Sequence, residues 1–148
     1  MKHKIFTLFV FAFILSAINI KAQSLENLVG QCAANAGDDA TYLKDFQVTL
    51  GSAHSGENPP VAKFSMVLSK STVYRFSVCN SSGSAGKAII QLFDTNRLIG
   101  SSFNLATHKD YHGFDFTCNK TGIYHVFISF QEGRPGAAVG ILSFVKKL

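Results

Sequence analysis

The sequence predicts an all-β protein: an antiparallel β-sandwich of seven or eight strands in one domain. Three observations carry this. From Thr41 onward, apolar residues recur at every second position, the period of a strand with one buried face. Clusters of Gly, Pro, Asn, Asp and Ser break that pattern at short intervals, as turns do. No segment after Thr41 keeps a helical period for long. Antiparallel strands with one apolar face must cover it with a second sheet, which makes a sandwich; a closed barrel is the alternative. A chain of 148 residues suits one domain.

Residues 1–22 read as a secretory signal peptide. Lys2, His3 and Lys4 make a basic start, residues 5–20 are almost uninterruptedly apolar, and Ala22 is a small residue before a cleavage point. The apolar run is shorter than the ~20 residues of a spanning helix, and Ser16 and Asn19 interrupt its end. No cysteine follows Ala22, which argues against a lipid anchor. The expectation is an exported protein (secreted, periplasmic or cell-surface) with no stable membrane insertion after cleavage. Residues 23–40 read as an irregular N-terminal segment with a short helical piece around Leu25, Leu28 and Val29, and residues 41–148 as the sandwich.

The strands follow in order. In residues 42–50, Tyr42, Phe46, Val48 and Leu50 share a face, and the breaker-rich residues 51–60 form a surface loop. Ala62, Phe64, Met66 and Leu68 share the next face. After a turn at 69–71, Tyr74, Phe76 and Val78 point inward and Arg75 and Ser77 outward, a pattern that predicts a hairpin with one wet face. Residues 80–86 read as a flexible Ser/Gly-rich loop. Ile90 and Leu92 mark a strand, 94–96 a turn, 98–103 a short strand and 104–110 a polar loop. Phe114 and Phe116, then Tyr124, Val126 and Ile128, mark two further strands, and residues 138–145 close the domain. Phe93 and Phe127 fall on the opposite parity, which suits a binding face or a pairing surface and equally the core of the second sheet, the preferred reading.

Charge narrows the function. Losing Lys2, Lys4 and Lys21 with the signal leaves 11 basic residues against 9 acidic ones, so +5 becomes +2. The remaining basic residues are scattered, only Lys146 and Lys147 standing side by side, and nucleic acid, which asks for a basic stripe, is excluded as a partner.

Three cysteines remain, Cys32, Cys79 and Cys118, and an exported chain with three predicts one disulfide and one leftover thiol. Cys79 and Cys118 each end a strand before a polar turn, so they are the expected pair. Parity puts Cys79 with Arg75 outside and Cys118 with Phe116 inside, so a bulge or turn has to redirect one of them. Cys32 is then the leftover thiol, with its replacing either partner left open.

The runs 72–78 (TVYRFSV), 90–96 (IQLFDTN) and 121–128 (TGIYHVFI) resemble strands of the bacterial pre-peptidase C-terminal domains. The resemblance implies a jelly-roll sandwich and an exported, non-catalytic module that adheres to a polymer or assists a partner. Some members hold calcium through an acidic N-terminal segment. Asn35, Asp38 and Asp39 stand in the comparable place, without that set's glutamates.

Other constellations carry little chemistry. His108 and His112 have a His-x-x-x-His spacing beside Asp110 and Asp115, but that spacing gathers imidazoles only on a helix, and here it falls in a loop. There is no Gly-x-Ser-x-Gly elbow, and nothing ties a histidine to Cys118. His112 and His125 read as wet-face residues. Asn80-Ser81-Ser82 and Asn119-Lys120-Thr121 match the glycosylation sequon. The sequence therefore predicts no catalytic residues, no metal and no cofactor. It predicts a secreted or cell-envelope binding module for a glycan, a peptide or an envelope protein. The alternative is an envelope assembly component that pairs through an edge strand.

Overall fold

A computed structural model describes residues 20–148, and the sandwich is its architecture. The expected signal peptide lies outside the described residues except for positions 20–22. A helix, α1 (Ile20–Asn35), precedes ten strands. They are β1 (Thr41–Leu50), β2 (Ala62–Leu68), β3 (Thr72–Asn80), β4 (Ala88–Asp94), β5 (Arg97–Ser101), β6 (Phe103–Asn104), β7 (Lys109–Asp110), β8 (Gly113–Cys118), β9 (Gly122–Phe130) and β10 (Gly136–Lys147). Sheet A has the order β1-β10-β3-β8 and sheet B the order β2-β9-β4-β5. The two strands beyond the expected eight, β6 and β7, form a small hairpin of their own that takes Phe103 from the expected strand and brackets the stretch expected to be loop.

All pairings are antiparallel and nested. The first strand pairs with the last, β2 with β9, β3 with β8, and β4 with β5. This is the arrangement of a jelly roll, two open sheets face to face and not a barrel. It also corrects one expectation. β2 and β3 are not a hairpin: β2 pairs with β9 while β3 lies between β10 and β8. The turn at 69–71, with Ser71 at φ 60°, carries the chain from one sheet to the other. Parity is the same in both cases, because the two strands bury their apolar faces in one core from opposite sides.

That core holds the alternating apolar residues of the strands after the first. Leu68, Tyr74, Phe76, Val78, Ile90, Leu92, Tyr124, Val126 and Ile128 are buried, and Ala62, Phe64, Met66, Phe114 and Phe116 pack at its margin. In β1 only Phe46 and Val48 are buried. A register shift between Tyr42 and Lys44 swings Tyr42 out to the surface. Gly140 in β10 lies at the centre: a Cβ there would stand 2.8 Å from Ile128 and 3.1 Å from Ile90.

The segment expected to be irregular is mostly helix. Leu25, Leu28, Val29, Cys32 and Ala33 of α1 form a stripe at helical spacing that packs on Val139 and Ile141 of β10. Gly37, at φ 100°, follows α1 and turns the chain toward β1. The disulfide belongs to this layer. Cys32 is joined to Cys79, with Cα atoms 5.8 Å apart, so the expected Cys79–Cys118 pair is not formed. Parity explains why: Cys79 faces outward from sheet A toward α1, while Cys118 faces the core. Cys118 is a buried free thiol near the Lys120 carbonyl and the Tyr124 hydroxyl.

Two outcomes follow. Phe76 is fully buried and its ring stacks on Phe114 at 5.4 Å, so Phe76→Ala should cost about 3–5 kcal/mol by denaturant titration. Peptide mapping of non-reduced protein should yield a Cys32–Cys79 linked peptide with Cys118 free. Closing this 47-residue separation is worth about 4 kcal/mol in the chain-entropy treatment, so Cys32→Ser should lower stability by up to that amount.

Candidate functional site

The two sheets differ in what covers their outer faces. On sheet A, α1 lies over β10 and its neighbours. On sheet B no helix lies over the outward side chains, and only the end near Ile89 and Ser129 is flanked, by the β6–β7 hairpin and the stretch before β2. Cross-strand register sets them in rows: Val67 opposite Ile123, Ser65 opposite His125, and Lys63 opposite Phe127, which in turn faces Gln91 on β4. Phe93, opposite His125 and Leu98, completes the centre of the face.

Phe93 and Phe127 are therefore not core of the second sheet, as parity alone suggested. Their rings pack together on its outside with centroids 4.5 Å apart, half-buried by each other. The Lys63 ammonium stands 4.9 Å from the Phe127 centroid, in reach of a cation–π contact. His125 Nδ1 shares a 2.8 Å hydrogen bond with Ser65 Oγ. Around this centre Val67 is 68 % and Ile123 62 % exposed, and Leu98 and Val61 are also exposed. The end of the face bearing Ile89 and Ser129 deepens into a groove of about 540 Å³, walled by Phe103, Leu105 and His108 on one side and Pro59 and Val61 on the other.

A second concavity, of about 740 Å³, opens at the α1 edge of sheet A, between the helix, the 80–88 loop and the chain leading into β8. His112 and Asp110 line it, together with Tyr111, Lys87, Gln31 and Asn35. The histidines with metal-like spacing go separate ways. His108, at φ 52° in the β6–β7 turn, stands edge-on to Phe103 at 6.1 Å, while His112 belongs to this second cleft. Asp110 bonds Lys87 at 3.1 Å and accepts a hydrogen bond from Gln131. Among the described residues no group of three or more His, Cys, Asp or Glu converges as a metal site.

Asp115 and Asp39 meet on Arg75, which clamps the corner after α1. Its Nε and Nη2 donate to Asp115 at 2.7 and 2.9 Å, and its Nη1 donates to Asp39 and to the Ala36 carbonyl, both at 2.7 Å. The residues compared with a calcium segment are thus divided: Asp39 serves this clamp and Asn35 the second cleft. The side-chain hydrogen bond from Arg75 holds the Asp39 carboxyl below its ordinary range. Burial is the main cause that pushes the Tyr124 phenol up to about 12, with its contact to Cys118 second. The Asn80 sequon has a structural use, its amide bonding the Gly86 carbonyl at 2.8 Å and the Ala88 N–H at 3.2 Å. Asn119 is exposed in the β8–β9 turn.

No protein-family model matches the chain, and no curated protein matches it. The candidate surfaces rest on residues that alternation alone passed over. Val67 and Ile123 are odd-parity aliphatics in strands whose even positions fill the core, and that inversion was the available signal.

The Arg75 clamp makes a pH prediction. A carboxyl whose folded pKa lies below its unfolded value adds stability above the unfolded pKa and loses it as pH falls through the folded one. By carbon-13 NMR the Asp39 carboxyl should titrate below the ordinary carboxylate midpoint and return toward it in Arg75→Leu. An ordinary midpoint in the unaltered protein would mean the clamp is open in solution.

Proposed function

We propose that this is an exported, non-catalytic binding module that docks a partner protein through the outer face of sheet B. The observation that carries the reading is the collection of exposed Val61, Val67, Leu98 and Ile123 around the Phe93–Phe127 pair, on the one sandwich face that α1 does not cover. Contiguous apolar surface rimmed by polar groups is characteristic of protein-interaction sites. Branched aliphatics dominate the face, and the ammonium of Lys63 already stands against Phe127, so it suits protein side chains better than a sugar ring. Lys63 has no carboxylate partner among the described residues, which favours a partner that brings one. The disulfide and the apolar N-terminal stretch support an oxidising, exported compartment.

Edge pairing is the weaker reading because the edges are blunted. β1 carries a register shift and Lys44, β2 carries Lys63, β5 a register shift and Arg97, and β8 carries Asp115.

Photo-crosslinking in the native host tests the face. A crosslinking residue at Val67, Leu98 or Ile123 should trap one protein of defined mass, and the same residue at Gln47 on sheet A should not. Ile123→Asp, at an exposed position, should weaken capture at least tenfold, about 1.4 kcal/mol, with the thermal midpoint unchanged. Adducts of equal yield at Gln47, or a band at twice the chain mass, would defeat the proposal.

A further inference from the structure

We propose that the cleft beside the disulfide is a second binding site, and that its ligand is a neutral saccharide. Three segments wall it: α1 with Gln31 and Asn35, the 80–88 loop with Lys87, and the strand-entry segment with Asp110, Tyr111 and His112. Its volume, about 740 Å³, falls in the range of small-ligand sites.

Each wall is tied down by bonds independent of any ligand. The Cys32–Cys79 disulfide holds α1 to β3. The loop is anchored by Ser84, whose hydroxyl donates to the Ala137 carbonyl at 2.8 Å and accepts from the Ala137 N–H at 2.9 Å, and by the two bonds of the Asn80 amide. The third wall is fixed where the Tyr111 N–H bonds Ser102 and the Val78 N–H bonds the His112 carbonyl, both at 2.8 Å. A cleft built this way loses little entropy on binding.

The groups it offers decide the ligand. Among the described residues, the Gln31 and Asn35 amides, the Tyr111 hydroxyl and the His112 imidazole take part in no hydrogen bond of their side chains, and all four residues are exposed. The one cation and one anion, Lys87 and Asp110, already neutralise each other at 3.1 Å, and Gln131 holds the carboxylate's other oxygen. A charged ligand would have to break that pair or face its opposing member. A polyol suits it: neighbouring hydroxyls can donate to Asp110 and accept from Lys87 without separating them. Tyr111, 47 % exposed at the rim, holds the Lys109 ammonium 5.3 Å from its ring centroid and contributes its hydroxyl, and Leu28, Val78, Ala85 and Ala88 supply an apolar lining. Neutral donors and acceptors, a cancelled charge pair and an apolar lining together describe a sugar site.

The test is chemical-shift mapping of the full exported chain with cellobiose, maltotriose, mannobiose and N,N′-diacetylchitobiose at millimolar concentrations. At least one should shift the amides of Gln31, Asn35, Lys87, Tyr111 and His112 saturably while those of Val67 and Ile123 stay still. Asn35→Ala and Tyr111→Ala, both at exposed positions, should each weaken that binding about tenfold with the thermal midpoint unchanged. The proposal is overturned if none of the four sugars shifts these amides, if the shifts map elsewhere, or if glucose 6-phosphate or sialic acid binds here more tightly than any neutral sugar. Because none of the exposed residues on the outer face of sheet B lines the cleft, Ile123→Asp should leave sugar binding intact, so the two sites fail separately.

Discussion

β10 is apolar on both faces, and covering the second face is the constraint from which the rest of the architecture follows. Residues 138–143 are all buried, with Ala138 and Leu142 in the core between the sheets and Val139 and Ile141 on the reverse side. A central strand buried on both sides needs an element against each face. Sheet B supplies the first, α1 the second. A helix of this length, held by a stripe of five modest apolar residues, gains little from propensity alone. The Cys32–Cys79 link turns that weak docking into a permanent one by removing unfolded-state entropy. The Arg75 clamp then holds the turn that leads from α1 into β1.

The asymmetry of the sandwich is a consequence. One outer face acquires a helix and becomes a third layer, while the other keeps its aliphatic and aromatic residues open. Covering sheet A also creates the cleft, since α1 raises a wall along β3 where the 80–88 loop and the entry to β8 already rise. The disulfide that stabilises the fold is therefore part of the cleft lining.

Alternation made the core legible residue by residue, because parity depends only on which face of a strand is dry. It could not assign strands to sheets. β2 and β3 look like a hairpin from parity, yet in a jelly roll consecutive strands cross the core and present the same alternation from opposite walls. The cysteines show parity read correctly and then overruled: Cys79 outside and Cys118 inside was the right reading, and a redirecting bulge was invoked because no layer outside sheet A was expected. The run Ala138-Val139-Gly140-Ile141-Leu142 held the missing information. A strand without polar alternation has two dry faces, and Leu25, Leu28, Val29, Cys32 and Ala33 had the spacing to cover one of them.

In the Ser/Gly-rich stretch 80–86, Asn80 and Ser84 spend their polar groups on the backbone of the loop, of β4 and of β10, which replaces the missing apolar anchor. Short polar side chains satisfy buried or bent backbone where no sheet partner is available. That substitution of hydrogen bonds for packing is what holds the wall of a polar cleft in place. The apolar face of sheet B reaches the same end by the opposite route, through the regular register of β9 between β2 and β4. The chain thus has two preformed surfaces of different chemistry, one shaped by strand pairing and one by side-chain-to-backbone bonds.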